Sequence, residues 1–240
     1  MNPSESVRLP LVGSQASAAE RVTAFLRVVY GWMFAGLAVT ATVAWLVAGT
    51  PALLVAIASN RILFWGIIIA QFGMVLYLSA RVAKLAPGPA ALLFLAYSAL
   101  TGVTMAFVLL VYTGESVALA FFVTAGMFGA VALYGTVTTR SLAGVGQFMF
   151  MGLVGIVLAS IVGMFWHSDG LQFVLSFIGV IVFTGLAAYD AQRLKSMALA
   201  TSAGQLGSYT VVGALALYLD FVNLFLMLLR FTGNRRSDWR

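Results

Sequence analysis

The feature that most constrains this chain is a series of seven apolar stretches, each about as long as a membrane is thick. A helix crosses the hydrocarbon core of a bilayer with about 20 apolar residues. The seven stretches lie at residues 28–49, 62–80, 89–112, 117–138, 144–166, 171–190 and 210–232. They are continuously apolar rather than alternating, which favours helices over the strands of a membrane barrel. We therefore predict an all-α integral membrane protein with seven transmembrane helices.

Composition agrees with this class and excludes several kinds of site. Only 8% of the residues are charged, against about 25% in soluble domains. The chain has no cysteine, which excludes disulfides and thiolate metal sites. Its one histidine, His167, lies in the loop sequence WHSD and is interpreted as a solvated residue rather than a metal ligand. The sequence predicts no resident cofactor and no nucleic-acid partner.

The ends of the chain differ from its middle. The first 23 residues are polar and lack the apolar core and cleavage site of a signal peptide. We predict a mobile polar arm over residues 1–23, a seven-helix membrane domain over 24–232 and a basic tail over 233–240. No eukaryotic targeting or retention signal is evident, and a bacterial cytoplasmic membrane is the expected location.

The distribution of basic residues predicts a cytoplasmic N-terminus. The segments that would then be inside hold eight of the 13 basic residues: Arg8, Arg21, Arg27, Arg81, Lys84, Arg140, Arg193 and Lys195. Trp45, Trp65 and Trp166 would all lie near the outer interface, where amphipathic rings settle. The arginines of the tail would also lie outside. Either a short tail escapes the rule or the last apolar segment re-enters.

An aspartate stands in the middle of the last span, LYLDFVNLFLMLLR. At helical spacing the small and polar residues of this span share one face: Gly213, Ala216, Asp220, Asn223 and Met227. That face is expected to point into the bundle, because lipid offers no partner to polar groups. An acid at this depth is a candidate functional site. The alternative is a structural Asp220 satisfied by Asn223 or by an arginine such as Arg81.

The sixth span carries a similar stripe and ends in YDAQRLK. Its members are Ser176, Gly179, Phe183, Ala187 and Asp190. Asp190 is either part of a functional site or an interfacial partner of Arg193 and Lys195. Small residues at helical spacing elsewhere, such as Gly36 and Gly102, are interpreted as close helix packing. The same interpretation covers Gly126, Gly129, Gly152 and Gly155, and Gln71 is interpreted as an interhelical hydrogen-bonding group.

Several of these segments resemble one known family. AAYDAQRLK followed by LYLDFVNLFLMLLR resembles the paired signature of the Bax inhibitor-1 family, the transmembrane Bax-inhibitor-motif proteins. The resemblance extends through FLRVVYGWMFAGLAVTA, YSALTGVT and YGTVTTRSLAGVGQFMFMGLVG and covers about residues 24–232. It implies a last helix wrapped by the other six and a pH-sensitive calcium leak. It also implies that Asp190 and Asp220 lie close together as the proton sensor.

Two carboxylates in contact inside a low-dielectric bundle cannot both ionise cheaply, so they are expected to share one proton. When both are charged, a cation must offset the repulsion. Arg81 is the candidate internal cation, with Asn223 as a supporting polar group, and a passing Ca²⁺ is the other, since it prefers hard oxygen ligands such as Asp190 and Asp220. Arg81 is otherwise a snorkelling interfacial anchor, and Lys84 would then replace it.

The predicted spans place Asp190 at an interface and Asp220 near mid-depth, about 10 Å apart along the membrane normal. Contact therefore requires that the sixth helix continue past Asp190 or that the segment 197–208 dip inward. A second hypothesis is a regulatory protein that binds a membrane protease or another membrane protein without transport. A membrane enzyme is the least favoured, because the GxGD companion motif of aspartyl intramembrane proteases is absent and no serine–histidine arrangement is available.

Overall fold

The computed structural model describes residues 9–81, 85–165, 168–200 and 206–236, and these form a helical bundle. Within these ranges the helices are α1 (Leu9–Ala48), α2 (Pro51–Ser59), α3 (Arg61–Arg81), α4 (Pro87–Val111), α5 (Gly114–Val137), α6 (Ala143–Phe165), α7 (Asp169–Ala200) and α8 (Leu206–Thr232). All but α2 are long and apolar enough to cross a membrane. The prediction of an all-α protein with seven spans is confirmed. The predictions on Lys84, Trp166 and His167 fall outside the described residues.

The last helix, α8, is the most buried of the seven membrane-length helices. In its most apolar window 67% of the residues are buried, against 6% in that of α3. It packs against α1, α4, α5 and α7, while α3 packs on α4 and α6 packs on α7. Because most of its surface contacts protein, α8 can carry polar groups that a lipid-facing helix cannot.

Small residues allow α1 and α4 to approach closely. A Cβ atom at Gly36 would lie 2.9 Å from Ser98 Oγ, and one at Gly102 would lie 2.7 Å from the carbonyl oxygen of Thr40. The close-packing interpretation is confirmed at these two positions. It is wrong at three exposed positions, where a Cβ atom would have no neighbour within 4 Å: Gly126, Gly129 and Gly155.

The sixth span is longer than predicted. Helix α7 continues past Asp190 to Ala200 instead of ending there. The polar residues that suggested a loop have partners on the turn between α5 and α6: Gln192 accepts from Leu142 N–H (2.7 Å) and donates to Arg140 C=O (2.9 Å). Lys195 donates to Thr136 C=O (2.7 Å). With these groups satisfied, the helix can keep its apolar face in the core.

The first helix also extends beyond its predicted span. It begins at Leu9, and its membrane-length portion is Ala18–Ala48 rather than 28–49. Phe25, Leu26 and Val29 are buried in the main core. Val22, which lies within the stretch 1–23 predicted as a polar arm, is buried in the same core, so the helix packs against the bundle before that predicted boundary.

The C-terminal tail lies at the same end of the bundle as the α4–α5 loop. Helix α8 runs without a break to Thr232. Beyond it, Thr113 N–H donates to Asn234 C=O (3.1 Å) and Arg236 N–H donates to Val111 C=O (2.9 Å). The last apolar segment therefore crosses the bundle and does not re-enter. Trp45 and Trp65 stand at this same end, at the close of α1 and the start of α3, and both are exposed.

Candidate functional site

The structure brings the two aspartates together. Asp220, in the middle of α8, is buried, with 6% of its surface exposed. Its side chain lies within hydrogen-bonding reach of the side chain of Asp190 on α7, which is half-buried. The polar stripes of the sixth and seventh spans thus face each other across a single helix pair.

The register between α7 and α8 produces this contact. The two helices are antiparallel: Gly213 on α8 faces Leu194, and Met227 on α8 packs on Gly179. Residue 190 is therefore level with about residue 217. Asp220 lies about three residues further along the axis, or about 4.5 Å at the rise of an α-helix. Two aspartate side chains can span that distance, and the extension of α7 removes the depth mismatch expected from the shorter span.

Ionised carboxyls alone would leave this contact unsatisfied. Taken as two carboxylates, the pair leaves Asp220 Oδ2 buried and without a hydrogen-bond partner among the described residues. An unsatisfied charged oxygen in a protein interior is strongly unfavourable. One proton held between Asp190 and Asp220 converts the contact into a hydrogen bond and removes one of the two charges.

The basic residue that the structure brings to the pair is Arg193. It lies three residues after Asp190 on the same helix, so the two share a face, and it acts electrostatically on Asp190. Arg81, the cation predicted from sequence, ends α3 as an exposed residue on a helix that packs mainly on α4. Asp190 thus has both Asp220 and Arg193 nearby, whereas Lys195, the other interfacial partner predicted for it, donates to Thr136 C=O.

The third predicted residue, Asn223, lines a cavity. This cavity has a volume of about 1110 Å³ and is enclosed by α3, α4, α6, α7 and α8. At the end of the bundle where α8 ends, its lining includes the exposed residues Arg230 and Arg235, which define its mouth, and it reaches down to Phe183 and Leu219. Polar groups on its wall include Gln71, Thr101, Thr104, Ser160, Gln172, Ser176 and Asn223. Gln71 also donates to Leu100 C=O on α4 (3.1 Å), which confirms its interhelical role.

The pair and the cavity are neighbours. Leu219, on the cavity wall, immediately precedes Asp220, and Asn223 is one helical turn beyond it. Phe183 is buried about two turns before Asp190 on α7. The carboxyls thus lie near the inner end of a mostly apolar cavity, beyond Phe183 and Leu219.

Sequence reasoning missed a second buried polar cluster on the other side of α8. The hydroxyl of Tyr218 lies 2.6 Å from Thr40 Oγ1, and Thr40 donates to Ser98 C=O (2.9 Å). These bonds join α8 to α1 and α4 near the level of the pair. The sequence did contain a signal for this cluster, because the hydroxyl of Tyr218, in the middle of a span, needs a polar partner.

The donor set does not form a resident metal site. Among the described residues, no group of three or more acidic or histidine side chains converges.

Comparisons with known proteins agree with the sequence signatures. The family model described as Inhibitor of apoptosis-promoting Bax1 matches residues 22–237. The inner membrane protein YbhL of Escherichia coli K12 is 48% identical over 236 residues, which cover 97% of each chain. A protein of Borreliella burgdorferi is 43% identical over 216 residues, covering 89% of this chain and 93% of its own. The chain therefore belongs to the Bax inhibitor-1 family.

Proposed function

We propose that this protein is a pH-sensitive calcium leak in which the Asp190–Asp220 pair is both proton sensor and gate. The observation that carries the proposal is a buried acid, Asp220, held against a second acid near the inner end of a mostly apolar cavity whose wall carries polar side chains such as Asn223. Cations entering from the cavity would meet Phe183 and Leu219 first and the carboxyls next. On the far side Asp190 is half-buried beside exposed Arg193, which offers a route toward the opposite membrane face.

The proton count of the pair would set the gate. With one proton, the carboxyls hold each other and the α7–α8 contact stays closed. With none, two like charges repel in a low-dielectric site and must gain a cation. Ca²⁺ or Arg193 would supply it, and Arg81 remains the candidate predicted from sequence. A change of partner at this point would move α7 relative to α8 and open the way past Phe183 and Leu219.

The proposed location rests on a named relative, and the proposed topology rests on the distribution of basic residues. The relative YbhL is named an inner membrane protein, and the positive-inside pattern favours a cytoplasmic N-terminus. With seven crossings, the cavity would then open to the outside. No catalytic group is part of the proposal.

The test is calcium flux into liposomes. Purified protein is reconstituted around a trapped calcium indicator, and the initial rate is measured over a pH series against protein-free liposomes. We expect a protein-dependent rate that changes with pH. Arg193→Gln and Arg81→Gln, measured in parallel, identify the cation, since only the true partner should displace the pH profile. A rate equal to that of protein-free liposomes at every pH would overturn the proposal in favour of a regulatory protein that binds a membrane partner.

A further inference from the structure

A second site is indicated at the mouth of the cavity, where the leak proposal assigns no role to the basic residues. Arg230 and Arg235 line the rim. The described lining contains no acidic residue, although Glu115 and Asp169 lie at the same end of the bundle. The rim is thus a positive patch on a mostly apolar cavity.

Arg235 is held in place by backbone pairing and does not depend on a free tail. The segment 234–236 pairs with the loop after α4, with Arg235 opposite Tyr112 in an antiparallel bridge. Asn234 N–H also donates to Ser116 Oγ (2.9 Å). A Cβ atom at Gly233 would lie 2.8 Å from the Tyr112 ring, so a glycine allows the chain to turn closely over it. This pairing fixes the backbone from which the Arg235 side chain extends, so less backbone entropy is lost when that side chain binds a ligand.

The cavity is also accessible from the side. Its walls include Phe72 of α3 and Val157 and Ile161 of α6, which are 69%, 49% and 49% exposed. Helix α3 packs on α4, and α6 packs on α7, so the gap between α3 and α6 faces the surrounding hydrocarbon. An acyl chain can enter through this gap without leaving the bilayer.

We propose that the cavity binds a phospholipid with an anionic headgroup. Its phosphate contacts Arg230 and Arg235, and one acyl chain lies between α3 and α6 against Phe72 and Ile161. A guanidinium binds phosphate oxygens through directional hydrogen bonds. The positive-inside pattern does not account for arginines at this end of the bundle. The phosphate of a bound lipid would balance the charge of Arg230 and Arg235. The proposal concerns the same cavity through which the leak proposal routes cations, but its test measures lipid binding and does not depend on calcium flux.

Lipid retention by the purified full-length protein tests the proposal. Delipidated protein in a non-ionic detergent is titrated with phosphatidylglycerol or with phosphatidylcholine of the same acyl chains, and bound lipid is counted by native mass spectrometry. We expect tighter binding of phosphatidylglycerol. Arg230→Gln and Arg235→Gln should each weaken it by about fivefold, whereas Arg61→Gln, at the same end but off the cavity, should not.

Two further experiments test whether the acyl chain occupies the cavity. Ser160→Phe, at an exposed position on the cavity wall, should weaken binding of both lipids by filling the entrance. Glycerol phosphate, the headgroup alone, should not displace bound phosphatidylglycerol at equal concentration. Equal retention of the two lipids, an equal loss in Arg61→Gln, unchanged binding in Ser160→Phe or displacement by glycerol phosphate would each overturn the proposal.

Discussion

Replacing either aspartate of the pair by asparagine is expected to remove the pH dependence of calcium flux. Control by one proton allows the rate to change by up to about tenfold per pH unit. In Asp220→Asn the remaining acid, Asp190, lies half-buried beside Arg193 and has no second acid with which to share a proton. In Asp190→Asn the new amide can donate to Asp220 and satisfy its charge. Neither variant can share a proton between two acids, so we expect a variation below about twofold over the same pH range.

Asp169→Asn is the matched control for these variants. Asp169 is an exposed acid in the first turn of α7, the helix that also carries Asp190. Its replacement changes the net charge by the same amount as either pair variant. It should leave the pH profile of the flux unchanged. A profile that persists in both pair variants, or one that is lost in all three, would show that the sensor lies elsewhere.

Gly135→Val should strongly destabilise the bundle. Gly135 of α5 packs against the backbone of α7 at Ala188, where an added Cβ atom would overlap the carbonyl oxygen. Backbone cannot move aside as a flexible side chain can, so the helices must separate two residues from Asp190. We expect a loss of about 3 kcal/mol in the free energy of unfolding, at the upper end of typical overpacking costs. The measurement is thermal unfolding in detergent, followed by tryptophan fluorescence.

Gly126→Val on the same helix provides the control. Gly126 is exposed, and a Cβ atom added there would have no neighbour within 4 Å, so its replacement should change the unfolding temperature little. Similar destabilisation of both variants would mean that valine acts through helix propensity rather than through the α5–α7 contact.

The spans could be predicted from hydropathy because the bilayer imposes one length and one solvent on every crossing. The end of α7 could not be predicted in this way. Gln192 and Lys195 look like loop residues until their partners on the α5–α6 turn are known. A helical stripe does continue through Ala187, Ala191, Leu194 and Ala198, all buried, and following that period would have extended the helix.

The candidate site was only partly accessible to sequence reasoning. Asp220 is conspicuous because an acid in mid-span has a high cost, and its small-residue stripe indicated the facing helix. Arg81 was predicted as the nearby cation instead of Arg193 because the predicted sixth span ended at residue 190, which left Arg193 in a loop. The cavity depends on the gap between α3 and α6, which are distant in sequence, and no local pattern encodes it.

The most direct test of the shared-proton pair is whether it holds a proton at neutral pH. Infrared spectroscopy of detergent-solubilised protein, with and without carbon-13 label on the aspartate side chains, distinguishes a protonated carboxyl from ionised ones. We predict an isotope-sensitive carboxylic acid band in the wild type that disappears in Asp190→Asn and in Asp220→Asn. A wild-type spectrum in which every aspartate is ionised would contradict the shared proton and the gate built on it.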